Sequence, residues 1–141
     1  MPASGSKRWA RYQTERVKMT AIPVHHGDIP ALAWRIEIAG QSIVITGSFN
    51  NSKNLVASFA QDADALLVSH AIPENSRGVL RDLYARPSQL GRVADQADAR
   101  MMILGHRSVR TRGRESLSRN AIEENYNGTI LFANDGECWG L

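Results

Sequence analysis

The stretch MMILGH (residues 101–106) is the part of this sequence that decides the fold class. A short apolar run ends there on a glycine and then a histidine, and two upstream stretches, IVITGS (43–48) and ALLVSH (65–70), have the same form. Continuous apolar runs this short, separated by helix-like segments, are typical of buried parallel strands with crossover helices. Ligands of open α/β sheets bind beyond the carboxyl ends of such strands. The small residues and imidazoles that follow the three runs therefore predict a site at that edge of the sheet.

Composition limits the class of protein. The chain has 141 residues, of which 43% are apolar and 22% are charged, as expected for one globular domain. No apolar run approaches the roughly 20 residues that span a bilayer, and the N-terminus lacks the apolar core of a secretory signal. The single cysteine, Cys138, excludes an internal disulfide and is typical of a reducing compartment. We therefore expect a cytoplasmic protein that does not enter a membrane.

Arginines are concentrated just after the third apolar run. The net charge of +3 is too small to indicate nucleic-acid binding by itself. Guanidinium groups pair bidentately with phosphate and carboxylate, so Arg107, Arg110 and Arg112 are candidates for binding an anionic substrate, RNA included. The alternative is a solvated surface whose charges are balanced by nearby glutamates. The whole cluster consists of Arg107, Arg110, Arg112, Arg114 and Arg119.

The pattern predicts alternating strands and helices after a flexible basic arm over residues 1–16. Such alternation indicates α/β layers with right-handed crossovers. Strands are predicted over residues 17–24, 33–38, 42–46, 65–68, 101–104 and 129–133, with 137–139 returning beside the last of them in a hairpin about 134–136. Helices are predicted after Asn51 or Ser52, through Val79 and Leu83, from an N-cap at Ser88, and from Ser116.

Several stretches resemble the C-terminal half of the metallo-β-lactamase-fold hydrolases. HGDIPALAWRIE (26–37) resembles the segment of that family in which a histidine precedes a "PA…YR" strand, and ITGS (45–48) resembles its "SGD" or "TGD" turn. ADALLVSH (63–70) is similar to its "ADLLVHE" strand, and ILGHR (103–107) to its "LVLSHR" strand. The match continues in RTRGRE (110–115) and FAND (132–135). The branch resembled is that of tRNA 3′-processing endonucleases and arylsulfatase-like hydrolases.

The resemblance implies an α/β fold that is half of an αββα sandwich, a mixed sheet with helices packed on one face, over residues 17–141. The family's "HxHxDH" loop, which supplies most ligands of two zinc ions, belongs to the N-terminal half and does not occur in these residues. Half a sandwich leaves one sheet face without its partner layer. We expect a homodimer or a complementing N-terminal half to cover the strands that carry Ile36, Ile38, Val44, Ile130 and Phe132.

The resemblance assigns His26 and His106 as metal ligands, with His25, Ser48 and His70 as further candidates. Ser48 stands where the family places a metal-bridging aspartate, and a neutral hydroxyl brings neither the charge nor the two oxygens of a carboxylate. Histidines at strand ends also often donate one hydrogen bond to a carbonyl and have no other role. Two histidines could still hold one zinc ion weakly, so we expect a partial zinc site.

Two further differences from the family's motifs count against catalysis by this chain. Ala71 follows His70 where the endonucleases carry Glu, and the segment RPS (86–88) replaces their "HST" motif, so a general acid is not expected there. We predict a truncated or degenerate metal-dependent hydrolase that is inactive alone. The alternatives are an active zinc hydrolase of esters or phosphodiesters completed by a second chain, and an RNA-binding or interaction module.

Overall fold

The computed structural model describes residues 10–141. Seven strands form one sheet in which spatial order equals sequence order. The strands are β1 Ala10–Gln13, β2 Val17–Val24, β3 Ala31–Ile38, β4 Gln41–Ile45, β5 Ala65–Ser69, β6 Met101–Gly105 and β7 Thr129–Phe132. The helices are α1 Leu55–Phe59, α2 Val79–Leu83, α3 Pro87–Gln96 and α4 Glu115–Glu123. None of the helices in the described part is long and apolar enough to cross a membrane.

The three apolar runs that decided the fold class form β4, β5 and β6. β4 pairs in parallel with β5, β5 with β6, and β6 with β7, whereas β1 to β4 pair antiparallel. The segments between the parallel strands contain α1, then α2 and α3, then α4. The predicted mixed α/β sheet with crossover helices is therefore confirmed.

Two predicted elements are wrong in part. Residues 10–13 of the predicted arm form β1, because they pair antiparallel with residues 18–21 of β2; residues 1–9 of that arm lie outside the described residues. Residues 137–139 do not form the predicted returning strand. The side chain of Glu137 instead accepts hydrogen bonds from the backbone N–H (3.1 Å) and side-chain amide (2.8 Å) of Asn134, which closes a local turn.

Two helices also begin away from their predicted caps. The N-cap of α1 is Asn54, and that of α3 is Arg86 rather than Ser88. Ser88 lies inside the first turn of α3 and donates from its backbone N–H and its hydroxyl to Glu74, at 2.8 and 2.7 Å. A carboxylate from a distant segment thus satisfies the N-terminal donors that a local cap would satisfy.

The helices cover one face of the sheet. Val44, Leu66, Met102 and Leu104 have no exposed surface and form the main core with residues of the helices. Val44, Ile130 and Phe132 were predicted to need an external cover, and this is wrong, because all three face this core or pack against it. Side chains alternate between the two faces of a strand, so their neighbours along the chain lie on the opposite face.

The opposite face of the sheet, here called the open face, carries a second apolar cluster. Its buried members are Ala65, Met101 and Ile103. Ile36 lies opposite Ile43 on β3 and β4, so the predicted position of Ile36 and Ile38 on this face is correct. The residues that pack around the cluster are Ile43, Leu67, Leu131, Ala133 and Leu141.

Gly91 allows α3 to approach α4 closely. A Cβ at this position would lie 2.6 Å from the carbonyl oxygen and 3.1 Å from the Cα of Ile122. We expect Gly91→Ala to lower the free energy of unfolding by about 1–3 kcal/mol, because backbone on both sides must move apart. Urea denaturation measures the loss. The matched control is Gly140→Ala, where a Cβ meets nothing within 4 Å; equal stability of the two variants would contradict the close contact.

Candidate functional site

The carboxyl ends of β4, β5 and β6 surround a cavity of about 240 Å³, here called the strand-end cavity. Ser48 and His106 both line it, so the structure brings together two of the residues singled out from the sequence. Ser69 donates from its hydroxyl to the carbonyl oxygen of Gly47 at 3.1 Å. Gly47 has a φ of 61°, and a Cβ there would lie 2.9 Å from the carbonyl oxygen of Leu32. Only glycine fits this turn without strain.

His106 has an unusual backbone and an exposed side chain. Its φ of 47° lies in the left-handed region, which non-glycine residues adopt at a cost and which often marks functional positions. His106 also lines a second cavity of about 510 Å³ beside the first. This second cavity, here called the arginine cleft, is lined by Gly105, His106, Arg107, Arg112, Ala133, Asn134 and Asp135. The imidazole of His106 therefore borders both spaces.

His26 is held by a hydrogen bond to a backbone carbonyl, as metal-ligating histidines often are. Its Nδ1 donates to the carbonyl oxygen of Leu83 at 2.6 Å, so Nε2 is the ring nitrogen that remains for a ligand. The side chain is 8% exposed and packs edge-on against Tyr84, with ring centroids 5.0 Å apart. It is not among the residues that line the strand-end cavity. His25, the other candidate in this loop, lines a separate small space with Asn51.

His70 has a structural environment. It is 1% exposed, and its Nε2 lies 2.8 Å from the hydroxyl of Ser118 in α4. Burial, together with the nearby positive charge of Arg107, lowers the pKa of His70 from 6.5 to about 4, against the opposing effect of Glu115. The ring stays neutral inside the core, and His70 lines neither the strand-end cavity nor the arginine cleft.

The donors in place do not fit a complete metal centre. Residues 10–141 contain no group of three or more histidine, cysteine, aspartate or glutamate side chains that could hold a metal ion together. A catalytic zinc ion needs about three protein ligands, and two-metal hydrolysis needs more. The strand-end cavity offers His106 and the hydroxyl of Ser48, which is too few.

Arg107 and Arg112 line the arginine cleft, whereas Arg110 is exposed and does not. The guanidinium of Arg107 donates to the side-chain oxygen of Asn134 at 2.9 Å and to the carbonyl oxygen of Ala133 at 3.3 Å, and it also pairs with Glu115. The side chain of Arg112 has no partner among the described residues. One arginine of the cleft is thus fixed in place and the other is available.

Asn134 and Asp135 are site residues that sequence reasoning missed. The stretch 134–136 reads as a turn, and residues 135 and 136 do form one. Because the turn directly follows β7, at the same edge as the ends of β5 and β6, its side chains reach the arginine cleft. The sequence signal that could have identified Asn134 and Asp135 is their position just after a predicted strand.

Comparison with known proteins places the fold. No protein-family model matches the chain. No curated protein matches it either. Solved structures do match: the metallo-β-lactamase-fold protein YhfI from Bacillus subtilis has a TM-score of 0.78 at 18% identity, over 94% of this chain and 53% of that chain. Human tRNase Z, short form, has a TM-score of 0.66 at 17% identity, over 88% and 43%. Zn²⁺-bound PqqB from Methylobacterium extorquens has a TM-score of 0.62 at 16% identity, over 94% and 53%.

The chain spans about half the length of these solved chains. At this identity, the likeness concerns the course of the backbone rather than the chemistry of the site. The mixed seven-stranded sheet with helices against one face is the part they share. This chain therefore has the metallo-β-lactamase fold, over a portion equal to about half of such a protein.

Proposed function

We propose that this chain is the C-terminal half of a metallo-β-lactamase-fold, metal-dependent hydrolase, and that it is inactive until a complementing half packs on its open face. The observation that carries the proposal is the apolar character of that face. Ile38 and Ile45, which point to this face, are 44% and 36% exposed. Monomeric proteins rarely leave a contiguous apolar patch uncovered.

The shape of the open face favours a second sheet as its cover. The face is formed by strands, and sheets pack face to face with interdigitating side chains about 10 Å apart. The solved chains that match are about twice as long as this one, and their remaining portion is the natural model for such a layer. We propose a complementing half of the same fold as the occupant, in preference to a second copy of this chain.

The composition of the strand-end cavity supports the need for that half. Ser48 and His106 supply too few donors for a catalytic metal ion, so the other ligands must come from outside the described residues. PqqB, one of the matched structures, is Zn²⁺-bound. We propose zinc as the metal of the completed protein, and a weak or partial site in this chain alone.

The unaltered chain is expected to hold no pair of tightly bound zinc ions and to hydrolyse model phosphodiesters, esters and lactams no faster than buffer. The reason is the shortage of ligands together with the neutral Ser48. Equilibrium dialysis with metal analysis and colorimetric assays in added zinc or manganese measure both. Two zinc ions per chain that survive mild chelation, or turnover that His106→Ala abolishes, would overturn the proposal.

Complementation tests the proposal directly. The portion of YhfI that this chain does not match is mixed with the full chain, and the species are followed by sedimentation velocity. A one-to-one complex is expected, with turnover only when the chain also carries Ser48→Asp; Ser48→Asp alone should stay inactive. The proposal would be contradicted if the chain stays a stable, cooperatively unfolding monomer that does not bind the added half. A dimer of this chain that excludes the added half would contradict it as well.

A further inference from the structure

We propose that residues 137–141, here called the C-terminal strap, are the first strand of the second layer, and that the complementing half docks by pairing the backbone of one of its own strands with the strap. This inference rests on the proposed function and deepens it, because it names the segment that the complementing half binds through its backbone. The feature that carries it is an unpaired segment that lies across the open face.

The strap crosses the open face from one end of the strands to the other. Ala133, which directly follows β7, and Leu141, at the end of the strap, both pack against the apolar cluster of that face. The side-chain amide of Gln41 donates to the carbonyl oxygen of Leu141 at 3.2 Å. Gln41 is the first residue of β4, whereas Ala133 lies at the carboxyl end of β7, and β4 and β7 are separated by β5 and β6. The strap therefore runs diagonally over β6 and β5.

The strap accounts for the burial of one part of the open face. Ala65, Met101 and Ile103 on β5 and β6 are at most 8% exposed, although the helices cover the other face of the sheet. Of the residues that pack against these three, Ala133 and Leu141 are the ones that lie outside the strands. The C-terminal segment is thus already in place where a second layer belongs.

The uncovered part of the open face lies beside the strap. Ile38 and Ile45, on β3 and β4, remain exposed there. A sheet that packs face to face on these strands lies about 10 Å away from them, in the layer that contains the strap. The nearest strand of that sheet and the strap are then neighbours within one layer, as the strands of a sheet are.

The backbone of the strap has the free groups that such pairing needs. The strap contains no turn or helix, and none of its residues has a positive φ. Within residues 10–141, the backbone groups of Cys138, Trp139 and Gly140 make no hydrogen bond, and all three residues are exposed to water. A second layer would remove that water, and buried backbone groups without partners are unfavourable. A strand of the added half that pairs with the strap supplies the partners.

The alternative is that the added half displaces the strap and takes its place on the cluster. Displacement would break the bonds between Glu137 and Asn134 and the bond between Gln41 and Leu141, and it would remove the side chain of Leu141 from the cluster. Pairing keeps all of these contacts and adds backbone hydrogen bonds. The structure therefore favours pairing over displacement.

Amide hydrogen exchange of the full chain, alone and with the portion of YhfI that it does not match, tests the inference. In the free chain, the amides of residues 138–140 are expected to exchange rapidly, because they are exposed and unbonded. In the complex, at least one of them should slow about tenfold or more, as a new backbone hydrogen bond predicts. The control is the amide of Leu117, in the first turn of α4 on the helix-covered side, whose exchange should not change.

Proline variants test the backbone bonds themselves. Successive N–H groups of a paired strand point to opposite sides, so only one of Cys138→Pro and Trp139→Pro removes a donor to the added strand. That variant should bind the half about tenfold or more weakly than the alanine variant at the same position, and the other should bind as its alanine variant does. A chain that lacks residues 137–141 should also bind more weakly.

A complex in which residues 138–140 keep exchanging rapidly would overturn the inference and leave the proposed function intact. Tighter binding by the chain that lacks residues 137–141 would do the same, because it would show displacement of the strap. Equal weakening by the two proline variants would overturn pairing through one side of the strap. Absence of any complex would overturn the proposed function together with the inference. The exchange measurement uses the unaltered chain, so it decides the matter even where a variant fails to fold.

Discussion

Val44→Asp is expected to unfold the chain, whereas Ile45→Asp, one residue further along β4, is expected to leave it folded. Val44 has no exposed surface and lies in the main core, where an unpaired carboxylate costs several kcal/mol. That cost is a large part of the roughly 5–15 kcal/mol by which domains are stable. Ile45 points to the open face and is 36% exposed, so its carboxylate would stay hydrated. Circular dichroism and urea denaturation of the two variants measure the contrast.

The same pair of variants reports on the open face as a docking surface. Ile45→Asp is expected to abolish the complex with a complementing half while the chain stays folded, because the charge would be buried in the interface. Leu117→Asp is the control, since Leu117 is 66% exposed on α4, on the other side of the sheet. Unfolding of Ile45→Asp to the same degree as Val44→Asp would mean that residues of this chain already cover the open face.

Acidification from pH 7 to pH 4 is expected to remove about 3 kcal/mol of stability through His70 alone. Burial is the main cause that lowers the pKa of His70 from 6.5 to about 4 in the folded chain. Below pH 6.5 the His70 imidazole is protonated in the unfolded chain but stays neutral in the folded chain until about pH 4. The free energy of unfolding therefore falls as the pH falls. The loss develops between pH 6.5 and about 4 and is complete below that.

The His70 contribution is isolated by comparing urea denaturation of the wild type and His70→Gln at several pH values. Glutamine cannot take up the proton, so the variant should lack this part of the pH dependence, whatever its stability at pH 7. Parallel curves for the wild type and His70→Gln would show that His70 does not control the acid response.

The positions of the core strands along the chain could be predicted from sequence because each of them is a short apolar run between turn residues. The face of each strand that points to the helices could not be predicted. In β4, Ile43, Val44 and Ile45 are all apolar, so the sequence contains no alternation that says which of them faces the helices. The helix contacts made by Val44 decide the matter, and they come from segments far along the chain.

The candidate site was predictable where it depends on strand ends and unpredictable where it depends on packing between distant segments. Ser48 and His106 meet because β4 and β6 end at the same edge. His70 and His106 both follow apolar strands, yet the first is buried and the second exposed. The difference comes from Ser118 of α4, which closes over His70, a contact across 48 positions. His26 is likewise fixed by a hydrogen bond from its Nδ1 to the carbonyl oxygen of Leu83, 57 positions later.

The sheet order has a consequence for how the chain reaches this structure. Each strand neighbours the strand made immediately before it, from β1 at one edge to β7 at the other. Pairing can therefore advance in step with synthesis at the ribosome, which delivers the N-terminal strands first. The antiparallel β1–β4 meander can form through short connections before β5 has emerged. Each later strand can pair in parallel only after the crossover segment before it has been made. The portion that contains the helices is therefore expected to fold more slowly during synthesis than the antiparallel portion.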